Sequence, residues 1–205
     1  MSLRQVAAAA AAISAAEWVA VALALAYLLL AVRQNIACWS FAALSSGIFL
    51  WLFGRAGLPM QSALQAFYIA MAAYGWYSWR GGLVATERAR PVVRWPMSRH
   101  LAASAVIVIV SVVNARWSES ASHPLVPYVD ALVAWGSVYT TWLVARKVLE
   151  NWFYWIVLDV AAAGLYWTQG LYATALLFIL YAGIAVQGYR SWRSTMGPFA
   201  GTAAT

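Results

Sequence analysis

Residues 151–166 read NWFYWIVLDVAAAGLY. The run is apolar enough to enter a membrane, yet Trp152, Trp155 and Asp159 recur at helical spacing. At 100° per residue they fall within about a 60° sector, with Tyr166 on the same stripe two turns on. A carboxylate inside hydrocarbon is costly and marks a functional site by default. Tryptophan faces beside it suit a cation or a flat ring. The expectation is a membrane helix that carries half of a ligand pocket.

Composition agrees with lipid as the solvent. Of the 205 residues, 64% are hydrophobic and 9% charged, against roughly 45–50% and about 25% in soluble domains. A soluble fold of this size could not hide that much apolar surface. The net charge of +7 does not point to nucleic acid, because the basic residues punctuate apolar segments instead of lining one face. Cys38 is the single cysteine, so no disulfide framework exists. The N-terminal run MSLRQVAAAAAAISAAEW resembles a secretory signal, but it leads directly into a further apolar span and is read as a helix starting at the membrane surface.

Hydropathy predicts one transmembrane domain over 1–205 with seven spans, near 13–32, 36–54, 59–79, 99–116, 125–145, 151–168 and 170–192. Pro59, Pro124 and Pro127 stand at span starts, as closed backbone bonding in lipid requires. With the N-terminus outside, Arg33, Arg80, Arg88, Arg90, Arg94, Arg99, Arg146, Lys147, Arg190 and Arg193 are cytoplasmic, and only Arg4, Arg55 and Arg116 are external. That asymmetry predicts an N-out, C-in topology.

A repeat runs through the chain. A shift of 113 residues without a gap puts Arg33 on Arg146, Trp39 on Trp152, Gly57-Leu58 on Gly170-Leu171, Tyr68 on Tyr181, Gly75 on Gly188 and Ser78-Trp79-Arg80 on Ser191-Trp192-Arg193. Coincidences of Trp and Gly at a constant offset are not expected of mere hydrophobicity. The expected architecture is therefore an all-α integral membrane protein with a 3+1+3 parallel repeat: 13–80, a linker helix at 99–116, and 125–193. Substrates of parallel-repeat transporters bind near the midplane between the repeats.

Asp159 lies about 12 Å from Asn151 along a helix, near the middle of a core about 30 Å thick. Gln65 and Tyr68 reach a similar depth on the stripe Gln61, Gln65, Tyr68, Ala72, Gly75 and Trp79. Ala162 and Ala163 are expected to leave room for a ligand. Plainer readings stand beside these: Trp152 as an interfacial anchor, and Gln65 or Asp159 as a helix–helix hydrogen-bonding device. The repeat position of Asp159 is Ser46, so the acid is not part of the duplicated frame. Glu17 and Asp130 are repeat-related acids at span starts, favourable at a helix N-terminus or else able to attract a cationic solute. The arginine-rich segment 80–99 is read first as the loop that sets topology, with contact to anionic lipid as the alternative. His100 and His123 are expected on opposite sides of the membrane, which excludes a shared metal. No nucleophile motif or phosphate loop is present, so no enzyme and no cofactor is expected.

The motifs YGWYSWR at 74–80, ENWFYWIVLD at 150–159 and QGLYATALLFILYAGIAVQGYRSW at 169–192 resemble the PnuC family of bacterial vitamin transporters, over roughly 17–193. The resemblance implies a fold akin to the SWEET sugar transporters, a homotrimer in the inner membrane, and facilitated diffusion with trapping by a cytoplasmic vitamin kinase that feeds NAD biosynthesis. It places the Trp152–Trp155 pair near the ligand and makes Gln65 and Asp159 pocket positions. Asn151, Tyr181, Gln187, Tyr68, Trp39 and Ser46 complete the candidate set. The family usually has Asn where Ala72 stands here. The expected ligand is nicotinamide riboside, whose pyridinium is a flat cation, with thiamine as runner-up. A scaffold subunit whose tryptophans only pack helices is the reading from another class.

Overall fold

The computed structural model describes residues 15–57, 59–80, 90–117 and 124–196. Arg4, Arg88, His123 and the possible leader over 1–14 lie outside them. Seven helices form among the described residues: α1 Ala15–Val32, α2 Cys38–Arg55, α3 Pro59–Trp79, α4 Met97–Arg116, α5 Val126–Ala145, α6 Asn151–Thr168 and α7 Tyr172–Ser194. Each coincides with an expected span to within two residues. Window hydropathy reaches 2.1 in α1 and 1.5 in α4; the other helices carry more polar and aromatic side chains.

Two compact units divide the chain at residues 90 and 91. In the first, α2 packs on both α1 and α3. In the second, α6 packs on both α5 and α7, and α4 lies on α5. Large apolar side chains such as Leu44 and Trp51 in the first unit and Val106, Ile109, Val157 and Ile179 in the second face outward. In water that would be an aggregation liability; in lipid it is an ordinary surface.

Helix ends follow one pattern in both units. After α1 the Asn35 N–H donates to the Leu30 carbonyl at 2.9 Å, and after α5 the Val148 N–H donates to Leu143 at 3.0 Å. Gln34 and Lys147, at φ of 54° and 52°, make the left-handed step those bonds need. α2 and α6 end two residues before a second left-handed step, at Gly57 (φ 69°) and Gly170 (φ 76°), where glycine avoids the Cβ clash. Every one of these pairs is 113 residues apart.

Inside the helices, hydroxyls are satisfied by the chain itself. Thr140 donates to the Gly136 carbonyl at 2.7 Å and Thr141 to Ser137 at 2.8 Å. Ser45 reaches across to the Ala20 carbonyl at 2.8 Å and ties α2 to α1. Such bonds remove the cost of a bare hydroxyl in an apolar surrounding.

The segment 91–96 is extended and pairs with the α5–α6 corner. The Val93 N–H donates to Lys147 at 3.0 Å and its carbonyl accepts from Leu149 at 2.8 Å. Arg94 Nε donates to Glu150 at 2.9 Å, and the Trp95 N–H reaches the other carboxylate oxygen at 3.3 Å. That bond, ahead of simple charge attraction, raises the pKa of the Arg94 guanidinium. The arginine-rich stretch is thus in part a strap on the second unit and not only a charged loop.

Candidate functional site

α6 presents Asn151, Trp152, Leu158, Asp159, Ala162, Ala163 and Leu165 to the protein and exposes Phe153, Val157 and Val160. This is the 3.6-residue alternation expected of one covered face; Trp152 and Asp159 of the expected stripe are on it, and Trp155 and Tyr166 are half-buried. Asp159 retains 6% of its exposure. No hydrogen bond or ion pair holds its carboxylate among the described residues. Tyr181 of α7 stands close enough for the two groups to interact electrostatically. Ala162 and Ala163 are themselves covered, at 1% and 7%. Methyl side chains there let neighbouring protein approach the helix beside the acid.

The two tryptophans of the WxxW pair have different surroundings. Trp152 is 1% exposed and meets Trp192 edge-on, with centroids 5.4 Å apart at 89°. A Cβ added at Gly188 would sit 2.5 Å from its ring, so only glycine admits it. Its indole N–H is buried without a partner among the described residues. Trp155, one turn deeper, is half-buried and stacks on no aromatic ring among the described residues. Of the two, Trp155 has the face to offer.

Asn151 is fully buried and spends its amide N–H on the Val148 carbonyl at 2.6 Å, while its Oδ1 has no partner among the described residues. It braces the turn that starts α6. Tyr181 is half-buried and edge-on to Phe178 at 5.7 Å, and Phe178 in turn packs on Tyr166 at 5.3 Å. Gln187 is exposed on α7, off the face shared by Trp152 and Asp159.

The first unit repeats the tryptophan arrangement. Trp39 is 2% exposed and edge-on to Trp79 at 5.4 Å and 84°. A Cβ at Gly75 would lie 2.2 Å from its indole, and its N–H too lacks a partner among the described residues. Ser46 is buried on α2 and Ala72 on α3. Gln65 and Tyr68 are half-buried on α3 and Gln61 is exposed. Tyr68 lies near Tyr27 of α1, and the Tyr27 ring tilts against Trp39 at 6.0 Å.

Sequence reasoning singled out Trp152 for its chemistry and passed over what it rests on. Gly188 and Trp192 were visible as repeat matches, but only coordinates show them meeting Trp152. It also passed over a second cluster. Tyr154 meets His100 Nδ1 and Ser104 Oγ at 3.3 Å each, with Tyr139 edge-on at 5.4 Å. Its residues are scattered over three helices, and no local motif marks them.

No group of three or more His, Cys, Asp or Glu among the described residues could hold a metal. The arrangement offers a buried carboxylate, an open indole face and unpaired indole N–H donors, which is binding chemistry.

Residues 14–194 match the profile of a family described as nicotinamide mononucleotide transporter. The nicotinamide riboside transporter PnuC of Escherichia coli is 27% identical over 190 residues, covering 80% of this chain and 78% of that one. The riboflavin/roseoflavin transporter RibM of Streptomyces davaonensis is 27% identical over 170 residues, with the same coverage. Among solved structures, that of the vitamin B3 transporter PnuC superposes with a TM-score of 0.64 at 18% identity, over 86% of this chain and 80% of that one.

Proposed function

The chain belongs to the nicotinamide mononucleotide transporter family, and from that premise we propose that it is a uniporter carrying a cationic, ring-bearing vitamin, nicotinamide riboside first, across the bacterial inner membrane. It is a transporter and not an enzyme. One observation carries the choice of a cation: Asp159 is buried mid-helix with no ion pair among the described residues, one turn from the unstacked Trp155. An unpaired acid in a membrane helix needs a counter-charge, and a pyridinium over an indole supplies it while the ring gains cation–π attraction. Tyr181 in the second unit, and Gln65 and Tyr68 in the first, all half-buried, are each a candidate partner for ribose hydroxyls.

The two three-helix copies and the linker α4 form a 3+1+3 parallel repeat in this reading, with the N-terminus outside. Support comes from the left-handed steps, the starts of α2 and α6 and of α3 and α7, and the tryptophan–glycine contacts, which recur 113 residues apart. In parallel-repeat transporters alternating access comes from rocking of one repeat against the other. Facilitated diffusion, a homotrimer and trapping by a cytoplasmic kinase rest on the family resemblance. Thiamine, a flat thiazolium, fits the same acid.

A second reading is favoured by the RibM relative: riboflavin, whose neutral ring needs no counter-charge. Uptake of labelled nicotinamide riboside into proteoliposomes, with unlabelled thiamine and riboflavin as competitors, separates the three. Loss of nicotinamide riboside uptake in Asp159→Asn with riboflavin uptake intact supports the cation reading. Saturable riboflavin flux indifferent to Asp159 overturns it, and no saturable flux of any vitamin overturns uniport.

A further inference from the structure

On the outward side of the second unit, α4, α5 and α6 enclose an open groove of about 380 Å³ lined by Ser104, Ile107, Val108, Leu132, Val157 and Leu158, among others. Its walls are almost wholly apolar. Neither Asp159 nor Trp155 lines it, so it is not the candidate vitamin site.

One end of the groove is polar. Tyr154 lines it and bonds His100 and Ser104. Above that, the Trp95 ring lies 6.3 Å from His100 and edge-on to Trp142 at 5.2 Å. The Arg99 guanidinium rests over Trp95 at 5.5 Å, and Arg146 rests over Trp142 at the same distance. Arg94 is the third guanidinium, and the one carboxylate in this cluster, Glu150, is already engaged by it. Glu150 also faces His100 Nε2, at 3.7 Å. Among the described residues positive charge therefore exceeds negative in this cluster, and Arg99 is exposed.

An apolar slot that begins under an aromatic and cationic rim has the polarity of an anionic phospholipid: acyl chain in hydrocarbon, phosphate at the interface. We propose that this groove binds one, with the exposed Arg99 at the headgroup and a single acyl chain along Val108 and Val157. Charge complementarity selects a lipid over a second copy of this chain: its Glu17 and Asp130 stand at the opposite, external ends of α1 and α5 in the proposed orientation, and its Asp159 is buried. The site takes from the functional reading only that the helices span a membrane. The orientation proposed above puts the rim on the cytoplasmic side, where anionic lipid attracts basic groups.

The test uses the full chain, purified in mild detergent, with native mass spectrometry and thermal unfolding read after adding phosphatidylglycerol or phosphatidylcholine. Phosphatidylglycerol is expected to bind preferentially and raise the unfolding temperature. Arg99→Gln weakens that binding about fivefold, the share of one cation at a charged surface. Val157→Trp and Val108→Trp, at outward positions 63% and 51% exposed, fill the slot and reduce retention of either lipid. Equal retention of both lipids, or unchanged retention in both tryptophan variants, overturns the proposal. A change of oligomeric mass in those variants with lipid load unaltered assigns the groove to a second copy and overturns it too. Vitamin uptake plays no part in the readout, so failure here and failure of the transport reading are told apart.

Discussion

The turns Arg33–Ala37 and Arg146–Glu150 have the same backbone and opposite surroundings. Both make the left-handed step, at Gln34 and Lys147. In the first turn Asn35 is exposed, and its Oδ1 accepts the Ala37 N–H at 2.9 Å. In the second, Val148 stands in the place of Asn35 and is fully buried, and the strap residue Val93 exchanges backbone bonds with Lys147 and Leu149. One corner is satisfied by its own side chain, the other by a borrowed extended segment. The same backbone turn can be completed by different chemistry.

The same contrast holds inside the helices, where Ser46 and Asp159 occupy matching positions. What both copies share is the frame; what only one has is specific to its task. Each experiment below asks whether a feature belongs to the frame or to one copy.

The largest effect is expected where the copies agree. Gly75→Ala and Gly188→Ala drive a methyl into Trp39 and Trp152, and overpacking of this kind costs about 1–3 kcal/mol. Detergent thermal unfolding should show similar losses, partly restored by Trp39→Phe or Trp152→Phe. A loss at only one glycine would break the equivalence.

Next is the asymmetric acid. Asp159→Asn should lower vitamin uptake about tenfold, the order of a lost charge-assisted contact, while Ser46→Ala changes it little. Comparable losses at both positions would make the site symmetric.

The strap is expected to be worth less. Val93→Pro removes one backbone donor, about 1 kcal/mol, and hydrogen exchange should quicken at 147–152 but not at 33–38. The smallest change is expected from Arg94→Gln. Its partner Glu150 is sheltered, but the guanidinium is 58% exposed, and such pairs contribute about 0–1 kcal/mol.

Much of this frame was legible before any coordinates. Apolar spans of lipid-crossing length, and prolines confined to their starts, placed all seven helices, because closed backbone bonding in lipid leaves few alternatives. The covered face of α6 was legible for the same reason, since Trp152, Asp159 and their neighbours obey one helical period. The strap was not. Its pairing joins Val93 to Val148 across an intervening pair of helices, and periodicity says nothing about such a contact. One sign was available: a β-branched valine at a corner where the other copy carries asparagine. Nor could spacing show that Trp152 is used up in packing while Trp155 is left open, since both lie on the same stripe.

The tryptophan–glycine contacts also bear on how the protein is made. Trp39, Gly75 and Trp79 all precede Arg80, so the first three-helix copy holds every part of its own clasp before α4 has been synthesised. Domains generally fold as units during synthesis, the N-terminal one first. A nascent chain arrested before α5 should therefore already shield Trp39 from an aqueous quencher, leaving the second copy to close on Trp152 alone.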